Sequence, residues 1–76
     1  MQSKNLKLYS TEHCHLCEEA IEILQKAGIT ATIIDIVDDD THFEKFSTRI
    51  PVLQRPDNHD ELDWPFNVKS VLKFLL

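Results

Sequence analysis

The chain has 76 residues, of which 42% are hydrophobic and 28% are charged, and its formal net charge is −5. This composition is typical of one small globular domain and argues against disorder. The acidic balance disfavours a nucleic-acid partner, and no apolar stretch approaches the roughly 20 residues that a membrane-spanning helix needs.

The first predicted elements are a strand at Leu6–Tyr9 and a helix at His15–Ala27. The helix is indicated by apolar residues at helical spacing, namely Leu16, Ala20, Ile23, Leu24 and Ala27. Gly28, the only glycine of the chain, follows directly. Glycine readily adopts the left-handed conformation that ends many helices, so we expect Gly28 to end this one.

A second strand is predicted at Thr30–Val37, which is rich in β-branched residues. Ile33 and Ile34 are adjacent, so the strand carries apolar side chains on both faces. That pattern is typical of a strand covered on two sides, as in a parallel sheet with crossover helices.

A short second helix is predicted at Thr41–Ser47, preceded by the acidic run Asp38–Asp40. Aspartates cap helix N-termini and interact favourably with the helix dipole there. The spacing of Phe43 and Phe46 suggests that both face the core. A capped helix start explains the aspartates better than a metal site does.

The last third of the sequence indicates a hairpin and a helix. A third strand is predicted at Ile50–Gln54 and its partner at Glu61–Trp64, with turn chemistry at Pro56, Asp57 and Asn58 between them. Pro65 should stop the fourth strand. Asn67 can then cap a helix whose apolar stripe is Val68, Val71, Leu72 and Leu75.

The predicted order is therefore β-α-β-α-β-β-α in a single α/β domain spanning residues 1–76. The first two strands require a right-handed parallel crossover, and the hairpin adds antiparallel strands. We expect a four-stranded mixed sheet with helices on both faces. The turn carrying Cys14 then leaves the carboxyl end of a central strand, which is the usual ligand-binding edge of such sheets.

Cys14 and Cys17 are the only cysteines of the chain, and they form a C-x-x-C motif between the first strand and the first helix. This arrangement is typical of a thiol–disulfide site. The start of a helix stabilises a thiolate, so Cys14 is the candidate nucleophile. Cys17 lies one turn further on nearly the same face and is the candidate resolving thiol. His13 and His15 can modulate Cys14 by adding positive charge when protonated, whereas neighbouring glutamates oppose that effect.

The element order and two motifs resemble a glutaredoxin, the small branch of the thioredoxin fold. The motifs are Cys14-His15-Leu16-Cys17 after the first strand and the segment Thr48–Leu53, which contains Ile50-Pro51. Together with Trp64-Pro65-Phe66, they resemble the short bacterial glutaredoxin-like proteins. The resemblance implies a redox-active disulfide and a cis peptide bond before Pro51. It also implies that the backbone N–H and C=O of Ile50 pair with an extended substrate.

Three features of typical dithiol glutaredoxins are missing from this sequence. The residues between the cysteines are His15 and Leu16 instead of proline and an aromatic residue, no Gly-Gly pair precedes the last helix, and no permanently charged base lies just upstream of Cys14. The redox pair and Pro51 are therefore carried over from the family, and the glutathione-binding residues are not. Arg49 and the helix start at Asn67 remain as candidates for holding a carboxylate.

The resemblance implies a thiol–disulfide oxidoreductase that acts in cell redox homeostasis and electron transport on protein or low-molecular-weight disulfides. Expected partners are a disulfide-containing protein or glutathione, together with a reductase. No cofactor is expected, and glutathione is a candidate reductant. Residues 1–5 lack the hydrophobic region of a signal peptide, and two close cysteines fit a reducing compartment, so we expect a cytoplasmic protein. We also expect it to be a monomer.

Two other classes of function remain open. A zinc or iron–sulfur module would use Cys14 and Cys17 with His42 or His59 from elsewhere in the chain, or with ligands from a second chain. His42 and His59 are otherwise expected to be solvated. A redox-inactive adaptor would keep the fold and bind a partner through a face that includes Trp64 and Phe66, although core packing is the simpler role for Trp64.

Overall fold

The computed structural model describes residues 6–76, which form four strands and three α-helices. The strands are β1 (Lys7–Ser10), β2 (Thr32–Asp35), β3 (Val52–Gln54) and β4 (Glu61–Asp63). The helices are α1 (His15–Lys26), α2 (Asp40–Phe46) and α3 (Val68–Phe74). The predicted element order is confirmed, with an added 3-10 turn at Ile36–Asp38 between β2 and α2.

The strands form one mixed sheet in the order β2-β1-β3-β4. β1 pairs with β2 in parallel and with β3 in antiparallel fashion, and β3 pairs with β4 as the hairpin. β1 is therefore central, as predicted. Tyr9 lies opposite Val52, so Pro51 lies beside the end of β1, from which the chain leaves toward the cysteines.

Two hydrophobic clusters cover opposite faces of the sheet, because successive residues of a strand point to opposite sides. Leu8 and Leu53 belong to the cluster that α1 and α3 cover, whose helix residues are Ala20, Leu24 and Val71. Tyr9 and Val52 belong to the cluster that α2 covers, together with Ile36 and Phe46. The predicted fold class, α/β with a four-stranded mixed sheet and helices on both faces, is confirmed.

The helix ends follow the local chemistry of the sequence. α1 ends before Gly28, whose φ of 73° lies in the left-handed region that glycine tolerates. The backbone N–H of Ile29 donates to the carbonyl of Leu24 (2.9 Å) and satisfies one of the last carbonyls of α1. Asp39 caps α2 by accepting from the N–H of Thr41 (2.8 Å). Each of these helices therefore starts or stops where a residue satisfies its free backbone groups.

The prediction that the second strand is covered on both sides is wrong. β2 has four residues and lies at the edge of the sheet. Ile34 packs against the α2 cluster, but Ile33 on the opposite face is 48% exposed. Alternation places these two side chains on opposite faces, as expected, but the sequence pattern does not indicate that the strand is peripheral and that α1 leaves its outer side open.

The sequence also predicts that Phe43 on α2 and Leu72 on α3 face the core, and both predictions are wrong. Phe46 is 1% exposed, whereas Phe43 is 49% exposed. His42 shares the inner face of α2 with Phe46, because the two are four residues apart. On α3, Leu72 is exposed, and Phe74 packs against the core in its place.

No helix within residues 6–76 has the length and apolar character required to cross a membrane.

The two phenylalanines of α2 give a matched test of the packing. Phe46→Ala should lower the free energy of unfolding by about 3–5 kcal/mol, because it opens a cavity against Tyr9. Phe43→Ala should change it by less than about 1 kcal/mol, because Phe43 lies largely in solvent. Urea unfolding followed by Trp64 fluorescence measures both values. Equal losses in the two variants would contradict this orientation of α2.

Candidate active site

Cys14 is the N-cap residue of α1, with extended backbone angles of φ −109° and ψ 104°. Its Sγ accepts a hydrogen bond from the backbone N–H of Cys17 (3.2 Å). The sulfur thus takes the place that a serine or aspartate oxygen usually takes at a helix start. A negatively charged sulfur there would also interact favourably with the positive end of the helix.

Cys14 and Cys17 are joined as a disulfide, and their Cα atoms are 5.2 Å apart. Cys17 is only 2% exposed and belongs to the buried side of α1, whereas Cys14 is partly open to solvent. The two sulfurs are therefore unequal. A molecule arriving from solvent meets the sulfur of Cys14, and the sulfur of Cys17 lies behind it.

The loop between β1 and α1 is fastened to the sheet. The hydroxyl of Thr11 donates to Oδ1 of Asp35 at the end of β2 (3.2 Å), and the same oxygen accepts from the N–H of Val37 (3.0 Å). His13 has a φ of 58°, in the left-handed region that is uncommon for residues other than glycine. These features direct the chain from β1 into the extended conformation of Cys14.

The histidines beside Cys14 are both exposed. Nε2 of His15 lies 2.9 Å from Oε2 of Glu19, one turn further along α1. When His15 is protonated, this carboxylate offsets its charge. The predicted modulating role of His13 and His15 stays a prediction, and it depends more on His13 than on His15 because His13 has no such ion pair among the described residues.

The Ile50–Pro51 peptide bond is cis, as the family resemblance implied. The backbone N–H of Ile50 already donates to the carbonyl of Phe46 at the end of α2 (3.0 Å). The expectation that both backbone groups of Ile50 pair with a substrate is therefore corrected for the N–H. Within residues 6–76, no backbone N–H donates to the carbonyl of Ile50, so the predicted docking role of Ile50 stays a prediction for this oxygen alone.

The two candidates for holding a carboxylate are both engaged within the protein. Nη2 of Arg49 lies 2.7 Å from Oδ1 of Asp63 and 2.7 Å from Oε1 of Glu61. At the start of α3, the side chain of Asn67 accepts from the N–H of Ser70, whose hydroxyl accepts from the N–H of Asn67, so the two residues form a capping box. Nε and Nη2 of Arg49 and the N–H groups of Asn67 and Ser70 are therefore already bonded, and the role of Arg49 and this helix start in holding a carboxylate stays a prediction.

Glu61 links this ion-pair cluster to the face of the sheet that α2 covers. Its carboxylate also contacts Nζ of Lys45 (3.2 Å) and Nε2 of Gln54 (3.4 Å), and Oε1 of Gln54 accepts from the hydroxyl of Tyr9 (3.0 Å). Burial opposes the charge of Glu61, but the hydrogen bonds from Arg49 and Lys45 outweigh it and hold the pKa of Glu61 below its usual value. Burial, aided by the charge of Glu61, raises the pKa of Tyr9.

Residues 6–76 contain no group of three or more histidine, cysteine and acidic side chains arranged to hold a metal ion. His59 is exposed, as expected. The sequence predicts that His42 is solvated, but its ring packs edge-on against Tyr9 with 5.1 Å between centroids. Its Nδ1 is buried without a hydrogen-bond partner. Neither histidine is placed with Cys14 and Cys17 in a ligand set.

Trp64 and Phe66 are core residues. Phe66 is buried, Trp64 packs against the α1 and α3 cluster, and the two rings meet edge to face at 5.0 Å. The adaptor hypothesis therefore loses the aromatic face on which it depended. The Trp64–Pro65 bond is also cis, which the sequence analysis did not anticipate.

Asp63 and Glu61, which contact Arg49 next to the Ile50–Pro51 segment, are not predicted from the sequence. The register of the hairpin would predict their position, since Val52 pairs with Asp63 and Gln54 pairs with Glu61. Alternation then places both carboxylates on one face, near the segment that leads into β3. Arg49 in that segment is the cation that they contact.

The family model described as Glutaredoxin-like domain (DUF836) matches residues 5–76. The chain is similar to the X-ray structure of the Northeast Structural Genomics target protein XcR50 from X. campestris, with 38% identity, a TM-score of 0.83, and coverage of 92% of this chain and 93% of that one. The solution structure of XcR50 is 36% identical, with a TM-score of 0.83 and coverage of 93% and 91%.

Protein Ne2328 from Nitrosomonas europaea, solved by solution NMR, is 24% identical to this chain with a TM-score of 0.76. The match covers 97% of this chain and 93% of that one. At that identity the likeness concerns the fold alone. None of the curated proteins compared with the chain matches it. The architecture is thioredoxin-like, as the resemblance implied.

Glu61→Gln tests the ion-pair cluster through the pH dependence of stability. Because the folded protein holds the pKa of Glu61 below its unfolded value, the carboxylate stabilises the fold above the unfolded pKa, and this contribution is lost as the pH falls through the folded pKa. At pH 7 the variant should be less stable than the wild type by about 1 kcal/mol. The difference should shrink as the pH falls below about 4.5, the ordinary value for glutamate.

The measurement is urea unfolding of both proteins at neutral pH and at about pH 3.5. Asp39 and Asp57, whose pKa values are also lowered, by the backbone N–H of Thr41 and the side chain of Arg55 respectively, are present in both proteins. The difference between the curves therefore isolates Glu61. A pH-independent difference would contradict the charged network.

Proposed function

The chain belongs to the glutaredoxin-like domain (DUF836) family, and on that premise we propose that it is a thiol–disulfide oxidoreductase that works through Cys14 and Cys17. The observation that carries the proposal is the placement of the pair. A partly exposed sulfur caps α1 and accepts a backbone N–H, and a buried sulfur is bonded to it from one turn behind. A pair of thiols so placed supports attack by one sulfur and resolution by the other.

In the reducing direction, the thiolate of Cys14 attacks one sulfur of the substrate disulfide. The substrate S–S bond breaks, a mixed disulfide forms on Cys14, and the first substrate thiolate leaves. Cys17 then loses its proton and attacks Sγ of Cys14, and the second substrate sulfur leaves. Two electrons pass to the substrate, and the protein retains the Cys14–Cys17 disulfide.

The surroundings favour Cys14 as the attacking sulfur. Its exposure gives access, and the N–H of Cys17 at 3.2 Å together with the helix dipole stabilises negative charge on it. Cys17 is too buried to meet a bulky substrate first. Once a mixed disulfide exists, the same proximity lets Cys17 resolve it.

Docking of the substrate falls to Ile50 and Pro51. Pro51 is buried and precedes Val52, which pairs with Tyr9, so the segment runs along the edge from which the Cys14 loop emerges. The carbonyl of Ile50 can accept from an N–H of an extended substrate. The two sulfurs carry the electrons themselves, so the mechanism requires no cofactor, only a reductase or glutathione to regenerate the dithiol. A monomer acting in the cytoplasm fits this scheme.

Single cysteine variants test the division of roles. After reduction and mixing with hydroxyethyl disulfide at neutral pH, Cys17→Ser should accumulate one mixed disulfide on Cys14, because the resolving thiol is gone. Cys14→Ser should form its adduct at least about tenfold more slowly, because Cys17 is buried and lacks the hydrogen bond that Cys14 receives. Intact-protein mass spectrometry of acid-quenched samples measures both rates.

The control is the same reaction in concentrated urea, where the two variants should react at similar rates because neither thiol keeps its folded surroundings. Equal rates for the two folded variants would overturn the assignment of Cys14 as nucleophile.

A further inference from the structure

Arg49 is held on two sides by carboxylates at the edge where a substrate would dock. Asp63 binds it in a bidentate manner, through Nη2–Oδ1 at 2.7 Å and Nε–Oδ2 at 3.4 Å. Glu61 contributes a third contact at 2.7 Å. Arg49 precedes Pro51 by two residues, and Asp63 pairs with Val52, so this cluster adjoins the docking segment.

Asp63 and Glu61 neutralise the charge of Arg49, and among residues 6–76 no other permanently charged cation near this segment takes its place. The acidic residues come from the Cys14 loop, the first turns of α1, the end of β2 and the turn after it: Glu12, Glu18, Glu19, Asp35 and Asp38. Among the cations, Lys45 is bonded to Glu61 and His15 lies against Glu19. Lys69 near the start of α3 is exposed, and His13 bears charge only when protonated. In these elements, which lead to and from the disulfide along the chain, carboxylates therefore outnumber cations.

A substrate that carries carboxylates beside its disulfide meets two obstacles. It must displace Asp63 to bind Nε and Nη2 of Arg49 together, and it must approach a negatively charged edge. The capping box of Asn67 and Ser70 uses the backbone N–H groups of these two residues at the start of α3. A neutral or positively charged disulfide meets neither obstacle.

We propose that Asp63 is a specificity-determining residue that occupies the anion position of Arg49 and thereby excludes carboxylate-bearing disulfides. The site then favours disulfides whose surroundings are neutral or positively charged. This inference rests on the proposed thiol–disulfide exchange and adds the charge class of the substrate. The reduced protein supplies two electrons, one probe half leaves as a thiolate, and the other leaves as a thiol with the proton of Cys17.

The test compares three small disulfides that differ in charge: hydroxyethyl disulfide, which is neutral, cystamine, which is positively charged, and oxidised glutathione, which is negatively charged. Reduced protein is mixed with each probe, remaining thiols are blocked with N-ethylmaleimide, and the oxidised fraction is followed by intact mass. Each rate is divided by the rate at which dithiothreitol reduces the same probe at the same pH. This ratio removes the intrinsic reactivity of the probe.

For the wild type, the normalised rate with hydroxyethyl disulfide should exceed that with oxidised glutathione by about threefold or more, and cystamine should be at least as fast as the neutral probe. Asp63→Asn should raise the rate with glutathione disulfide relative to the neutral probe by roughly two- to fivefold. High salt should weaken the discrimination in the wild type, since about 1 M salt shortens the screening length to about 3 Å.

Asp57→Asn is the matched control. Asp57 holds Arg55 in the same bidentate manner, at 3.2 and 3.0 Å, but at the opposite end of β3. This variant should keep the wild-type ratio. The double variant Arg49→Gln/Asp63→Asn should lose the gain of Asp63→Asn, because the guanidinium that it frees is absent. The rate with the neutral probe reports whether each variant keeps its fold.

An unchanged ratio in Asp63→Asn, an equal gain in Asp57→Asn, or slower reaction of cystamine than of the neutral probe would overturn the inference and leave the proposed function in place. A wild-type protein that exchanges with none of the three probes would refute the proposed function, and the inference would fall with it.

Discussion

The contact on which the site depends is the hydrogen bond from the N–H of Cys17 to the sulfur of Cys14. The first N–H groups of a helix have no partner within the helix, so something must cap them. Here the cap is the sulfur of Cys14. A thiolate accepts a hydrogen bond more strongly than a thiol does, so a thiolate at this position would strengthen the cap.

The helix behind this cap is packed against the core. α1 buries Ala20 and Leu24 against the sheet, and Cys17 is buried with them. On the other side of the loop, the bond between Thr11 and Asp35 ties the chain to β2. Cys14 therefore lies between two anchored segments, and the register of β1 with β3 brings Pro51 to the same edge.

Most of this arrangement follows from local patterns in the sequence. Helical spacing, the glycine after α1 and the C-x-x-C motif between strand and helix are sufficient to predict the first elements of the fold and the pairing of the two cysteines. The errors concern the strand order, the point at which a helix ends and the register of the hairpin. Whether β2 is central or peripheral depends on which strands pair with β1. Whether the N–H of Ile50 is free depends on where α2 ends. The partners of Arg49 depend on the register of a hairpin whose arms are several residues apart.

The same register also determines which carboxylates contact Arg49. Glu61 faces Gln54 across the hairpin, Gln54 accepts from the buried hydroxyl of Tyr9, and Arg49 lies over the ring of Phe46 at 5.3 Å. The guanidinium is therefore held by the sheet and the α2 core as well as by Asp63, and it is not a free surface cation. Because the pairing of Asp63 is set by the hairpin, the charge preference that we propose for the site would be encoded more than 40 residues after the cysteines in the sequence. A C-x-x-C motif alone does not specify it.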